Sequence, residues 1–463
     1  MRLMTGIVGI GAIALIAIGG CSNTNKPVAS SCKAATPDAQ ITIPIAPRSQ
    51  RVDLADPPPT FSNPTSITNP LFPVSGVVQT ILVGTKDGLP FRAEYTLLPD
   101  TRTIASGLAP DQEVENRTVH YLAYLNGRIT ELALDWYAQD DAGTVWYFGE
   151  DVFNYEAGVV VDNDGTWLAC QDGPAAMIMP ATPLVGNVWR PENIFGNVFE
   201  EVTVSAIDQT MAGPGGNVTG VLVTSQLYQD GSREDKLFAP GYGEFSTGSP
   251  GADLEALALA VPTDALSGST PVELETVVTG AAHVFDRAQS GDWGAASTAL
   301  NQITSAWNIY RAGGVPPLLD PLMTGALDRL AQAITTQASP AARQAALDVS
   351  QTGLDLKMRY RPVPEIDLDR LDLWARQLTL DVDTGDAGGM ASDVEILAQI
   401  WSRVAHAVPL AAASQITTQL GRLKLGAGQA DRSAAHEAAR DLRMVLRGPL
   451  SGGAGATGES GKP

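Results

Sequence analysis

A duplication sets the tightest bound on what this chain can become. Leu300, Ile303, Trp307 and Tyr310 recur 94 residues later as Val394, Leu397, Trp401 and Val404. Spacings of 3, 4 and 3 put each set on one face of a helix. Gly291-Asp292, which ends the preceding helix, returns as Gly385-Asp386 at the same offset. Leu327-Asp328-Arg329-Leu330 is echoed by Leu420-Gly421-Arg422-Leu423 at offset 93. Thr270-Pro271-Val272-Glu273 reads as a capping box with Pro at the first helical position. Glu365-Ile366-Asp367, after Pro364, is its counterpart, and Ser339-Pro340 opens the fourth helix of the first unit. The expectation is an all-α domain over 269–447. Its repeats run from about 270–360 and 364–447, and its eight helices stack as one bundle or a short array.

Upstream the period changes from helical to alternating. Glu131-Leu132-Ala133-Leu134-Asp135-Trp136-Tyr137 and Thr144-Val145-Trp146-Tyr147-Phe148 carry the aromatic and branched residues that strands favour. Asp140-Asp141-Ala142-Gly143 lies between them as a turn. The same punctuation separates Val159-Val160-Val161 from Thr166-Trp167-Leu168-Ala169-Cys170, and Val221 to Tyr228 from Arg233 to Ala239. Short strands joined by tight turns predict antiparallel neighbours. The fold class expected is therefore α+β as separate domains: an N-terminal antiparallel β meander over 60–248, half-barrel or sandwich, and a C-terminal all-α domain built from a duplicated four-helix unit. Residues 21–59, rich in Ser, Thr, Ala and Pro, read as a flexible linker. Residues 249–268 read as a second linker, and 448–463, rich in Gly and Ser, as a disordered tail.

Three motif groups in the β region, Ile67-Thr68-Asn69-Pro70-Leu71-Phe72-Pro73, Leu134-Asp135-Trp136-Tyr137-Ala138-Gln139-Asp140 and Val145-Trp146-Tyr147-Phe148-Gly149-Glu150, resemble recurring motifs of uncharacterised exported bacterial proteins. Ala239-Pro240-Gly241-Tyr242-Gly243 is similar to the closing turn of that group. The resemblance spans about 180 residues. It implies a β-rich exported domain and brings no activity with it.

Export is also written at the N-terminus. Arg2 precedes a run from Leu3 to Ile18 without a charged residue, about the length of a signal h-region. Ile18-Gly19-Gly20-Cys21 resembles the lipobox of bacterial lipoproteins, in which residues 1–20 are removed and the cysteine is lipidated. The alternative is a plain signal peptide or an anchoring helix; the polar residues directly after Cys21 favour the lipoprotein. Membrane lipid through acylated Cys21 is then the first partner, since several acyl chains give stable anchoring. The expected location is the cell envelope, lipid-anchored and non-cytoplasmic. Ser22 stands where an inner-membrane retention signal would place Asp, which favours the outer membrane if the cell has two.

Cysteine and charge follow the same line. Cys32 and Cys170 remain, an even count in an oxidising compartment, and a Cys32–Cys170 disulfide is favoured over two unpaired thiols. With 51 acidic against 30 basic residues the net charge is −21, which repels nucleic acid and anionic headgroups. No nucleic-acid partner is expected.

Motifs for chemistry are scarce. The folded part has no HExxH, no GxSxG elbow and no phosphate loop. His120 reads as a cross-strand packing residue; His283 and His406 align with Gln377 and Ala312 in the repeat, so the duplication builds no metal site. Asp162-Asn163-Asp164-Gly165 resembles part of a calcium loop but lacks the later Glu, and reads as a turn. No metal and no cofactor are expected. Trp136, Trp146 and Trp167 are candidates for a ligand wall. Two functional expectations result. The first is a non-catalytic envelope lipoprotein whose β domain binds a hydrophobic or extended ligand and whose helices dock an envelope protein partner. The second is an envelope hydrolase using a carboxylate pair, with Asp135 and Glu150 in that role.

Overall fold

The computed structural model describes residues 32–448 except 55, 249–252 and 430. Cys21, the signal segment and residues 449–463 of the tail lie outside the described residues. The β region is one open, 14-stranded antiparallel sheet. Its first half comprises β1 (Gln79–Lys86), β2 (Leu89–Ala105), β3 (Glu113–Leu125), β4 (Arg128–Gln139), β5 (Val145–Glu156) and β6 (Val159–Asp162). Two short strands, β7 (Trp167–Leu168) and β8 (Ala176–Met179), return to pair with β5. The second half comprises β9 (Val188–Ile194), β10 (Val198–Gly213), β11 (Gly216–Tyr228), β12 (Arg233–Ala239), β13 (Gly243–Gly248) and β14 (Leu254–Val261). Each half is a meander, and the two meet at the centre where β1 pairs with β14. The sheet curls until Trp189 of β9 donates its indole N–H to the Ile178 carbonyl of β8, 3.1 Å away. The result is a half-barrel.

Two segments expected to be linkers are structured. β14 lies inside 249–268 and is the strand that joins the two meanders. Its run Leu254 to Val261 alternates only weakly, because both faces are covered: Leu257 and Ala260 pack toward the second meander, Leu259 and Val261 toward the helices. The second correction concerns 21–59, of which 36–53 forms a strap over the free edge of β9. Thr36 N–H donates to the Asn193 carbonyl, and Val52 N–H to the Val188 carbonyl at 2.8 Å. An uncovered edge leaves backbone donors and acceptors open. Arg190, fully buried, adds a further demand, met by Glu201 at 2.9 Å and by Asp38 of the strap at 2.7 Å. Cys32 and Cys170 are joined, which ties the start of the strap to the turn after β7. The hairpins flanking 140–143 and 230–231 form as expected. Val159–Val161 and Trp167–Leu168 do not pair with each other; both lie along β5.

The helices are α1 (Val272–Ser290), α2 (Trp293–Arg311), α3 (Leu319–Thr335), α4 (Ser339–Lys357), α5 (Val363–Thr384), α6 (Ala387–Val404), α7 (Leu410–Gly428) and α8 (Arg432–Leu446). Within the first unit α1 packs on α2 and α4, and α3 on α4; α5, α6, α8 and α7 repeat that arrangement. The duplicated Gly-Asp pairs do the same work twice. Gly291 and Gly385 take left-handed conformations at helix ends, and Asp292 and Asp386 cap the next helix through the N–H of Ala295 and Gly389. Thr270 does not cap: Pro271 occupies the N-cap of α1 with no side-chain bond. No described helix is long and apolar enough to cross a membrane.

Sheet and helices share one apolar core, in which Ile81, Leu122, Leu132 and Leu259 meet residues such as Phe285, Leu371 and Val404. A ring of ion pairs sits within this interface. Going round it, Arg92 meets Glu94 (2.8 Å), Glu94 meets Arg403 (2.7 Å), and Arg403 meets Asp367 (3.0 Å). Asp367 meets Arg370 (2.9 Å), Arg370 meets Asp355 (2.9 Å), and Asp355 returns to Arg92 (2.7 Å). Every charge has two opposite neighbours. His120, 1% exposed, lies beside it with Nε2 3.4 Å from Gln399 Oε1. Burial, followed by the positive charge of Arg403, pulls His120 down to about 3, so the ring is neutral at physiological pH.

Candidate functional site

Strand alternation sends one set of side chains to the helices and the next to the hollow of the half-barrel. On β3, His120, Leu122 and Tyr124 face the helices while Val119 and Tyr121 face the hollow. On β4 the hollow receives Glu131, Ala133, Asp135 and Tyr137. There the sheet encloses a cavity of about 360 Å³.

Its wall is acidic and phenolic. Glu131 and Asp135 of β4, Glu150 of β5, Glu192 of β9, Glu200 of β10 and Glu244 of β13 line it, against Lys236 of β12 as the one cationic lining side chain among the described residues. Tyr95 and Tyr121 stand side by side with ring centres 4.8 Å apart; Tyr137 and Tyr147 stack at 4.8 Å. Phe72 closes one end, edge-on to Tyr137 at 5.1 Å. Apolar floor comes from Leu82, Leu97, Val202 and Phe238.

Asp135 and Glu150 are direct partners across β4 and β5. A register shift between Asp135 and Tyr137 brings Glu150 into the same surface as Tyr147, three residues away, which strict alternation would forbid. Asp135 is 5% exposed and accepts a hydrogen bond from Tyr147 Oη at 2.8 Å. Burial raises it to about 7, with Tyr147 opposing and Glu131 adding. Burial and then the charge of Glu200 raise Glu192 to about 8. Glu150 is pushed far upward by burial and by the charge of Glu192. Glu200 also rises through burial, although Lys236 opposes. Burial alone would pull Lys236 down; Glu244, 3.5 Å away, and Glu200 more than reverse that. The wall therefore holds several carboxyl groups that keep protons near neutral pH.

The three tryptophans expected to form a ligand wall do not line this cavity. Trp136 is turned the other way, under the guanidinium of Arg102 at 4.0 Å. Trp146 is buried in the core and donates to Asp140 Oδ2. Trp167 stands behind the wall, edge-on to Tyr147 at 5.3 Å. The wall's own indole is Trp189, which the sequence reading passed over. Both members of the carboxylate pair, Asp135 and Glu150, line the cavity. Of Glu200-Glu201, Glu200 faces the cavity and Glu201 is consumed by Arg190 and the Ala46 N–H of the strap. Glu192 and Glu244 carried no signal, since neither sits in a recognisable motif.

Asp162 accepts from Asn154 and from the Asp164 N–H, which makes its loop a turn held by its own carboxylate. Among the described residues no group of three or more His, Cys, Asp or Glu side chains is placed to hold a metal ion. The chain matches no protein-family model and no curated protein.

Proposed function

We propose that this is a binding protein of the cell envelope, held at a membrane by lipid on Cys21, whose half-barrel receives a compact polar ligand in its cavity. The observation that carries the reading is convergence. The four motif stretches that stand out in the sequence supply Phe72 and Pro73, Asp135 and Tyr137, Tyr147 and Glu150, and Tyr242 and Gly243, all on one cavity wall. The polar wall argues against a purely hydrophobic ligand. The helical units, joined to the convex face, serve as the docking element for an envelope partner; exposed Val272, Ile309 and Leu410 support that role.

Native mass spectrometry of the full protein, extracted from its own membrane in mild detergent, tests both parts. The expected result is a chain beginning at acylated Cys21 that retains a small molecule. An acylated chain that carries nothing, and takes up nothing from an extract of the same cells, overturns the binding reading. An unmodified chain that keeps residues 1–20 overturns the anchor.

A second reading is favoured by the cross-strand pairing of Asp135 and Glu150, two raised carboxyls opposed inside a cavity. It is a hydrolase working by general acid and base. Turnover on glycoside or ester panels that disappears in Asp135→Asn would establish it in place of the binding role.

A further inference from the structure

We propose that the ligand of this cavity is an organic cation, an amine or quaternary ammonium on a small body, seated against Asp135, Glu150, Glu192 and Glu200. The inference rests on the cavity being a binding site, and it names the class of ligand.

The first argument is charge. The wall gathers six carboxyl groups around one lysine, and that lysine is engaged by Glu244. Like charges crowded in a low-dielectric site repel strongly unless a counter-charge arrives. Lys236 is the one counter-charge in the lining and Glu244 engages it; the other carboxyls limit their repulsion by keeping protons, which an arriving cation would displace. A divalent metal would need several oxygens converging at short range, and the carboxyls are not so placed.

The second argument is spare hydrogen-bonding capacity. Asp135 is 5% exposed; Oδ1 takes the Tyr147 hydroxyl, and among the described residues Oδ2 meets no donor. Gln226, 2% exposed, also lines the cavity; its Oε1 accepts from Tyr228 Oη, and its amide nitrogen meets no acceptor. Neither is a buried unpaired atom, so solvent in the cavity serves both until a ligand replaces it. Here a free acceptor and a free donor face the same space, which suits a ligand with a cationic head and an acceptor elsewhere. Tyr95, Tyr121, Tyr137 and Tyr147 bring aromatic groups to the same cavity, the kind of side chain that attracts a cationic head. The volume of about 360 Å³ lies within the range small-ligand sites occupy.

Proton linkage gives the inference a second readout. Asp135, raised to about 7, faces Glu131, Glu150, Tyr121, Tyr137 and Tyr147. Glu192, raised to about 8, faces Glu150, Glu200, Asp135, Tyr147 and Lys236. Both hold protons over part of the neutral range, and a bound cation displaces them. Affinity for a cation therefore rises from pH 6 to pH 8, and binding releases protons.

The test uses isothermal titration calorimetry on the mature protein with matched probes: tyramine against 4-propylphenol, and choline against 3,3-dimethyl-1-butanol. The expected result is binding of at least one cation over its neutral partner by roughly 10-fold or more, the worth of one charged hydrogen bond. Heats that differ between phosphate and Tris buffers would report the released protons. The double variant Glu150→Gln, Glu192→Gln keeps shape and hydrogen bonding and should lose that preference while still unfolding cooperatively. Equal binding of neutral and charged probes overturns the cation but leaves a binding cavity. Failure of all four probes, with a neutral molecule retained in native mass spectrometry, also overturns the cation alone. Failure of all four with an empty cavity overturns both readings.

Discussion

On the face of the sheet that meets the helices, three arginines and three carboxylates form a closed ring in which every charge has two opposite neighbours. On the other face, six carboxyls share one lysine around an open cavity. The same strands build both: Glu94 and Tyr95 are adjacent on β2, one in the ring and one on the cavity wall. Glu94 shows the difference well. Burial alone would raise it, but Arg370, Arg403 and Arg92 hold it far below the usual carboxylate range. Asp135, equally buried but without an arginine, rises to about 7. Burial by itself does not decide a group's charge; what is buried with it does.

The comparison breaks most visibly where a ring member is removed. Arg370→Ala leaves Asp355 with Arg92 alone and Asp367 with Arg403 alone, one buried negative charge in excess, and chemical denaturation should show a loss of about 3–5 kcal/mol. A loss below about 1 kcal/mol would mean that water enters the ring and that the two faces are less different than they look.

pH separates the two faces next. Asp135 and Glu192 have folded values above their unfolded ones, so their contribution is complete below about pH 4 and is lost as pH rises through about 7 and 8. Glu94 has the opposite sign: its contribution is present above its unfolded value of 4.5 and is lost only in strong acid. Between pH 5 and 8 Glu94 keeps its charge while the cavity carboxyls titrate, joined outside the cavity by Glu255, raised to about 7, and by Asp393, also raised by burial. Stability should fall by on the order of 3 kcal/mol or more after allowance for solvent. Denaturation midpoints that rise over this range would contradict the assignment.

A smaller effect isolates one group. Glu192→Gln removes a carboxylate that repels Glu150 and Glu200, and should stabilise the protein by about 1 kcal/mol at pH 8 and hardly at all at pH 5. The smallest effect is a silence. His120 beside the ring should show no titration by NMR between pH 5 and 8, since burial and Arg403 hold it at about 3.

Much of the frame was legible in the sequence because it rests on period and punctuation. The eight helices follow from two apolar faces 94 residues apart, and the hairpins from turn residues between alternating runs. What was hidden depends on partners distant in sequence. β14 is an apolar run covered on both faces and so shows no alternation, and the Ser, Pro and Gly on either side of it make 249–268 as a whole read as a linker. The strap of 36–53 has no period at all and is held by Arg190 and the open edge of β9. The candidate site was half visible. Asp135 and Trp136 are neighbours and must face opposite ways on a strand, so a wall of Trp136 and a pair built on Asp135 could never share one surface. Choosing between them required knowing which face the helices cover. Glu150 joins the wall through a register shift that strict alternation cannot foresee.

The disulfide between Cys32 and Cys170 enters the arithmetic of attachment. The strap of 36–53 is already held to β9 and Arg190, and the disulfide fixes the chain a few residues earlier. The bond clamps the chain at Cys32, so if Cys21 carries lipid, only the eleven peptide units from Cys21 to Cys32 are left to pay out. Fully extended they reach about 40 Å. On the proposed anchor, such a reach would keep the half-barrel within a thin layer above the bilayer, where a ligand leaving the lipid surface would be met at a high effective concentration. Reduction of that one bond would lengthen the leash by only a few residues, to the point near Thr36 and Asp38 where the strap is still held to β9 and Arg190.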